Sequence, residues 1–184
     1  MPDSNITKKA LATAMKEQMA KTPFSKISVG DICDACGMNR KSFYYHFKDK
    51  YDLVNWIFYT EFIETMHLSA QSNGWGLLEE ICSYFYRERV FYCNALQIQG
   101  QNSLYSYFLE TMTPFLEVLS REMFPQLKHI SFFSVSLLDA FLSTIVRWLT
   151  EEPQITPDIF LAELKCFLSG FAKAALQSLD ETEL

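Results

Sequence analysis

The fold of this chain is decided by residues 28–48, which read SVGDICDACGMNRKSFYYHFK. Serine often caps the N-terminus of a helix, so Ser28 is a candidate cap. The apolar residues after Ser28 recur at helical spacing. Gly37 then ends this short helix, because glycine readily adopts positive φ. Asn39 can cap the next helix. Two short helices joined by a glycine-containing turn predict a helix-turn-helix.

The helix that follows Asn39 has two contrasting faces. Phe43 and Phe47 are four residues apart and predict one buried edge. Arg40 lies in the first turn, where a recognition helix meets base edges. At 100° per residue, four polar or aromatic side chains occupy the arc opposite Phe43: Lys41, Tyr44, Tyr45 and Lys48. A basic and aromatic outer arc favours DNA binding over a plain solvated helix.

The order of residues from Ile27 to Leu53 resembles the DNA-binding domain of the TetR family, and the resemblance extends over about Thr7–Ile57. The shared pattern begins with Ser28 and Val29, has an Ile four positions after Ser28, and continues through the glycine turn. It ends with the Tyr-Tyr-His-Phe run, which is followed by a lysine and a leucine. The resemblance implies a homodimer that binds a palindromic operator in double-stranded DNA. It also implies that the helical remainder dimerises and receives a signal.

Carried over by position, this resemblance assigns roles to individual residues. Ser28 matches a hydroxyl at a helix start that can touch phosphate, and Lys50 matches a lysine directed at a phosphate. Arg40, Lys41 and Tyr45 match positions that look into the major groove, where Arg and Lys can donate to guanine. The full predicted DNA-contacting set is Ser28, Asn39, Arg40, Lys41, Ser42, Tyr44, Tyr45, His46 and Lys50.

Two residues depart from the family pattern. Lys41 stands where a glycine is frequent and adds charge beside the groove. Gly30 lies inside the second predicted helix, where glycine costs about 1 kcal/mol relative to alanine, and the sequence gives no reason for it.

Composition supports a helical protein. The chain has 184 residues, of which 49% are hydrophobic, with only six glycines and six prolines. This is too few for the turns of a β-sandwich or barrel. We therefore expect an all-α fold of about nine helices, with an N-terminal three-helix helix-turn-helix domain followed by a helical bundle.

Charge divides the chain into two predicted domains. Residues 1–56 carry a formal charge of +3 and residues 57–184 carry −9. Such asymmetry is typical of a nucleic-acid module joined to a body with another task. We therefore expect a DNA-binding domain at 1–56 and a dimerisation and regulatory domain at 57–184.

Helical periodicity sets the expected elements. The first helix is predicted from Ser4 to Lys21, with Ser4 or Asn5 as its cap, and Asp49 can cap a fourth helix that reaches about Ser69. The next helices are expected at Leu77–Glu88 and Val90–Gln99. A long helix follows, with Asn102 or Ser103 as its candidate cap, a kink at Pro114 and its end at Met123. The last two are expected at Ile130–Leu149 and Pro157–Ser178.

The last two predicted helices are apolar nearly all round, which favours a two-fold four-helix interface over the alternative of a monomeric core. Gly170, Ala172 and Ala174 are small enough for close approach, and Ala175 extends the apolar face. The predicted interface residues are Leu138, Phe141, Leu142, Ile145, Trp148, Leu164, Leu168 and Phe171.

A ligand or a partner protein is expected to act on the body. Residues 52–58 and 99–104 resemble the branch of the family that contains regulators of the dihydroxyacetone-kinase type, and members of that branch can act with a partner protein. Residues at helical spacing could instead line a pocket or simply form core. The candidate pocket residues are Tyr84, Arg87, Tyr92, Gln97, Gln101, Tyr105 and Phe108.

Other functions are not expected. Cys33 and Cys36 have a metal-ligand spacing, but no second pair completes four ligands, and His67 and His129 are isolated. No nucleophile, base and orienting acid occur together at motif spacing, so we expect neither an enzyme nor a cofactor. Five free cysteines and no signal peptide indicate a cytoplasmic protein without a membrane segment. The alternative function is a helical adaptor whose helix-turn-helix no longer binds DNA.

Overall fold

The computed structural model describes residues 2–64 and 74–180, with side chains described for residues 4–64 and 75–174. These residues form nine α-helices and no β-strand. The expected all-α class is therefore confirmed.

The first four helices form the predicted helix-turn-helix region. They are α1 (Pro2–Met19), α2 (Val29–Ala35), α3 (Arg40–His46) and α4 (Lys50–Phe58). The helix α1 begins at Pro2, before the predicted cap at Ser4 or Asn5, and proline suits the first position of a helix. A short 3-10 helix at Phe24–Lys26 precedes α2.

The helix α4 continues directly into a turn of π-helix at Tyr59–Ile63. It thus runs without a break across the predicted domain boundary between residues 56 and 57. The predicted end of this helix near Ser69 lies outside the described residues, as does His67.

Five helices form the body. They are α5 (Gly74–Arg87), α6 (Arg89–Ala95), α7 (Leu104–Met123), α8 (Ile130–Glu151) and α9 (Pro157–Asp180). The helix α6 ends four residues earlier than the predicted Gln99, and Gly100 adopts a φ of +124° in the loop that follows. Ser103 caps α7, whose helix continues through Pro114.

The core of the body is built from aromatic rings. Phe58, Phe85, Tyr92 and Phe108 are fully buried. The rings of Phe85 and Tyr92 stack with centroids 4.5 Å apart, and those of Phe58 and Phe108 lie 5.7 Å apart. Because Phe58 ends α4, the helix that follows the DNA-facing elements is anchored in the body's core.

The helix α8 is long and apolar enough to cross a membrane by length and composition, although only 28% of its most apolar window is buried. A core helix of a soluble protein can share this property. Asp139, near the middle of α8, accepts a hydrogen bond from the Tyr105 hydroxyl at 2.8 Å.

Candidate nucleic-acid interface

The orientation of α3 is fixed by a cap, a glycine turn and two buried rings. Gly37 adopts a φ of +67°, and the Asn39 carboxamide oxygen accepts from the Ser42 backbone N–H at 2.9 Å. Phe43 is fully buried and Phe47 is 4% exposed. These contacts hold the edge predicted to be buried against the other N-terminal helices.

The opposite arc of α3 is open to solvent. Tyr44 and Tyr45 are 58% and 81% exposed, and Arg40, Lys41 and Lys48 are exposed as well. Adjacent exposed aromatic side chains often mark an interaction site. The exposed surface of α3, with Arg40 in its first turn and Lys48 just after its end, therefore presents three cations and two phenols, and this arrangement can bind a polyanion.

Ser28 caps α2 through a reciprocal capping box. Its hydroxyl oxygen accepts from the Asp31 N–H at 3.2 Å, and the Asp31 carboxylate accepts from the Ser28 N–H at 2.7 Å. The hydrogen bond from the Ser28 N–H, followed by one from the Ser28 side chain, lowers the pKa of the Asp31 carboxyl. The cap therefore uses both the backbone and the side chain of Ser28.

Asn39, Ser42 and His46 lie at the rim of the exposed arc. The Ser42 hydroxyl donates to the Asn39 carboxamide oxygen at 3.2 Å. The Asn39 amino group takes no part in this hydrogen bond. The half-buried His46 ring meets the Tyr45 ring edge to face, with centroids 4.9 Å apart. These three residues of the predicted DNA-contacting set are thus held by local contacts.

Arg40 takes a position that the sequence did not predict. Its guanidinium lies against Gly30, so that a Cβ at residue 30 would be 2.5 Å from Nη2. Arg40 also contributes to the lowered pKa of Asp31, behind the two Ser28 hydrogen bonds. The glycine left unexplained by the sequence therefore faces the first residue of α3.

Lys50 is largely occupied by the protein itself. Its ammonium group donates to the carbonyl oxygens of Phe24 and Ile27 at 2.7 Å each and lies 4.2 Å from the centroid of the Phe24 ring. Burial lowers the pKa of Lys50. An ammonium has three donors, so only one remains for the phosphate contact that the family resemblance implies.

A polar cluster that the sequence did not predict connects α1 to the body. The Lys16 ammonium forms ion pairs with the carboxylates of Glu61 and, at 3.3 Å, Glu88. The Tyr84 hydroxyl donates to Glu61 at 2.9 Å and accepts from the Tyr92 hydroxyl at 3.0 Å. Movement of α1 is thereby tied to the π-turn, α5 and α6.

The candidate pocket residues do not converge on one cavity. Tyr84, Tyr92 and Phe108 belong to the aromatic core, while Arg87 and Gln101 are exposed. Gln97 and Tyr105 line an open cavity of about 490 Å³ between the loop after α6 and helix α8. Hydroxyls of Ser103, Ser106 and Ser143 also line it.

The predicted dimer residues divide into two groups. Leu138, Leu142, Ile145 and Trp148 are at most 8% exposed, because they pack inside the chain itself. Phe141 and Leu164 are half-buried, whereas Leu168 and Phe171 are 44% and 64% exposed. The first four thus contribute to the chain's own core and present little surface to a second copy.

Other residues supply the exposed apolar surface of α8 and α9. Phe132, Leu137 and Phe167 are 68%, 58% and 64% exposed. The Phe167 and Phe171 rings meet edge to face, with centroids 4.9 Å apart. Phe167 and Phe171 are four residues apart, so the sequence indicates that they share one face of α9. Because this helix is apolar nearly all round, the sequence does not indicate which of its faces turns inward.

The two cysteines with metal-ligand spacing are packing residues. Cys33 is 1% exposed, and the Cys36 thiol donates to the Ile32 carbonyl oxygen at 3.3 Å. Burial raises the pKa of both thiols. Within the part of the chain that the structure describes, no group of three His, Cys, Asp or Glu residues could hold a metal ion.

Known proteins resemble this chain in sequence and in fold. A sequence profile of bacterial regulatory proteins of the tetR family matches residues 11–57. A second profile, for a transcriptional regulator C-terminal region of the TetR type, matches residues 75–170. The second match alone covers more than half of the chain.

Individual relatives agree with the profiles. The chain is 32% identical over 93 residues to the HTH-type dhaKLM operon transcriptional activator DhaS of Lactococcus lactis, and the match spans half of each protein. A solved structure of the dihydroxyacetone kinase operon activator DhaS has a TM-score of 0.59 at 21% identity, covering 92% of this chain and 97% of that one.

A second solved structure shares the fold. It is NalD, the secondary repressor of the MexAB-OprM multidrug efflux pump in Pseudomonas aeruginosa, with a TM-score of 0.64 at 19% identity, covering 88% of this chain and 93% of that one. At this identity the likeness concerns the fold alone. The two profile matches, one of which covers more than half of the chain, show that this chain belongs to the TetR family of transcriptional regulators.

Proposed function

We propose that this chain is a homodimeric, DNA-binding transcriptional regulator that recognises a palindromic operator through α3. The single observation that carries this proposal is the exposed surface formed by Arg40, Lys41, Tyr44 and Tyr45 of α3 and by Lys48 just after it, on a helix whose other edge is buried. Cations on this arc supply the salt-dependent attraction to phosphates. Arg40 and Lys41 lie at its N-terminal end, where recognition helices read base edges.

Charge supports the direction of binding. The formal charge is +3 over residues 1–56 and −9 over residues 57–184. DNA attracts the first part and repels the second. The duplex is therefore expected to approach the exposed arc of α3.

The exposed apolar face of α8 and α9 supports dimerisation. Phe132, Leu137, Phe167 and Phe171 are each more than half exposed, and such a patch usually marks an interaction site. Gly170 has no atom within 4 Å of a built Cβ, so a second helix could approach closely there. A second copy on this face would cover it and give two α3 helices for two half-sites about 34 Å apart.

The body is the proposed site of regulation. The cavity lined by Gln97, Tyr105 and three serine hydroxyls suits a small polar ligand, whereas the aromatic core is filled by its own side chains. A partner protein acting on the same surface is the other route. The likeness to DhaS supports a place in the branch of dihydroxyacetone-kinase operon regulators.

The direct experiment is selection of bound duplexes from a random DNA pool by the wild-type protein at moderate salt. We expect enrichment of an inverted repeat with half-sites one helical turn apart or a multiple of it. Enrichment of no sequence would contradict the proposal and favour an adaptor that has lost DNA binding. A single enriched half-site without its repeat would contradict the dimeric part alone.

A further inference from the structure

Gly30 is the second residue of α2 and is buried. Glycine disfavours helix formation, so its presence there needs a structural reason. A Cβ built on Gly30 would lie 2.5 Å from Nη2 of Arg40, 3.2 Å from its Nε and 3.3 Å from its Cζ. All three of the nearest atoms belong to one guanidinium.

The two ordinary reasons for a helical glycine do not apply here. In the described part of the chain, positive φ occurs only at Gly37 and Gly100, so the backbone at Gly30 is open to any residue type. Close approach of another backbone is the second reason, but side-chain atoms of Arg40 are the nearest neighbours. The Arg40 side chain therefore fills the space next to Gly30, and its atoms are the nearest to it.

Arg40 keeps its hydrogen-bond donors while it occupies this space. Among the side chains described, it forms no hydrogen bond or ion pair, and its charge reaches Asp31 only through a longer-range attraction. A guanidinium carries five N–H donors. Arg40 therefore lies beside Gly30 without a polar side-chain partner among the described residues, and its donors are available to an external acceptor.

We infer that Gly30 is a positioning residue for DNA recognition, because the missing side chain provides the space in which the Arg40 guanidinium lies. The inference rests on the proposed function. An arginine ordered before binding loses less rotamer freedom when it meets DNA. A side chain at residue 30 would displace the guanidinium while leaving the fold of α2 intact.

A double-mutant cycle tests this inference. Gly30→Ala, Arg40→Ala and the double variant are compared with wild type for affinity to the duplex that wild type selects. We expect Gly30→Ala to weaken binding about tenfold, which corresponds to about 1.4 kcal/mol. In the Arg40→Ala background, the same Gly30→Ala change should have no further effect.

Folding is measured on the same four proteins by thermal unfolding. Gly30→Ala should melt no lower than wild type, because only the flexible end of Arg40 has to move and alanine favours the helix. If Gly30→Ala unfolds the protein, the double variant decides. Recovery of folding there would confirm the contact, and persistent unfolding would overturn the inference.

The affinities give the remaining outcomes. Equal losses from Gly30→Ala with and without Arg40 would show that Gly30 serves α2 itself, and an unchanged affinity of Gly30→Ala would show that the position of Arg40 is irrelevant. Either result overturns the inference and leaves the proposed function standing. Failure of the wild-type protein to select any duplex would remove both together.

Discussion

The ammonium group of Lys50 lies 2.7 Å from the carbonyl oxygen of Phe24 and 4.2 Å from the centroid of its ring. A second carbonyl oxygen, from Ile27, accepts from the same ammonium. One side chain at the start of α4 thus holds the turn that leads into α2. These contacts make Lys50 a structural residue of the DNA-facing region, in addition to any contact that it makes with DNA.

The first prediction concerns this contact. Lys50→Met should lower the free energy of unfolding by about 2 kcal/mol, since two partly buried carbonyl oxygens lose a charged donor. Chemical denaturation measures the loss. Lys48→Met is the matched control, because Lys48 is exposed and the change in charge is the same. Equal stability of the two variants would contradict the structural role.

The second prediction concerns dimerisation. The double change Phe167→Glu and Phe171→Glu should convert the dimer into a monomer, because four carboxylates would have to be buried in the interface. Light scattering measures the mass. Val90→Glu, at a position 58% exposed on α6, should leave the dimer intact. An unchanged mass for the double variant would place the interface elsewhere.

The third prediction concerns the link between α1 and the body. Lys16→Met should lower the free energy of unfolding by about 1–2 kcal/mol, because it leaves the carboxylates of Glu61 and Glu88 without their shared cation. Urea denaturation is the measurement. Lys9→Met, exposed on the same helix, serves as the control. A loss of the same size for Lys9→Met would show that general charge, rather than the cluster, is responsible.

The fourth prediction is a pH dependence at the cap of α2. The Ser28 hydrogen bonds hold the pKa of Asp31 below its ordinary value of 3.8. A carboxylate with a lowered pKa stabilises the folded state above that ordinary value, and this contribution is lost as the pH falls through the folded pKa. Asp31→Asn should therefore lower the melting temperature at pH 7, and the difference from wild type should shrink below pH 3.8.

The control for this pH dependence is Asp34→Asn, an exposed position on the same helix. It should change the melting temperature little at either pH. If the difference between wild type and Asp31→Asn stayed constant from pH 7 to pH 3, the capping carboxylate would not be the group that titrates.

Local structure could be predicted from the sequence because its causes are local. Ser28, Asn39, Asp49 and Ser103 were each assigned as caps or candidate caps, and each accepts a hydrogen bond from a backbone N–H two or three residues later. The exposed arc of α3 followed from the burial of Phe43 in the same way. Both depend on helical geometry over one or two turns.

Contacts between distant segments could not be predicted in this way. Lys50 meets carbonyl oxygens more than twenty residues earlier, and Lys16 meets Glu61 and Glu88, so both depend on how the helices pack. The inward face of α8 was unpredictable for a related reason. Leu142 and Phe132 are equally apolar, and only packing decides that the first is buried and the second exposed.

The position of Gly30 shows the same limit at a single residue. Its unfavourable helix propensity was evident from the sequence, but the reason lies on another helix. Only the arrangement of α2 against α3 brings Arg40 to that point. A residue that breaks a local rule is therefore worth examining for a long-range contact.

The measurement that tests the central claim most directly compares affinities for the selected duplex and for a scrambled duplex. The double change Arg40→Ala and Lys41→Ala should reduce specific affinity about 100-fold, roughly 3 kcal/mol, with an unchanged melting temperature. Affinity for the scrambled duplex should fall far less, because Lys48 and the tyrosines remain. The control Arg121→Ala and Lys128→Ala removes two exposed cations from the body and should leave both affinities unchanged. If the Arg40 and Lys41 variant kept the wild-type preference for the selected duplex, α3 would not be the element that reads DNA, and the account would be wrong.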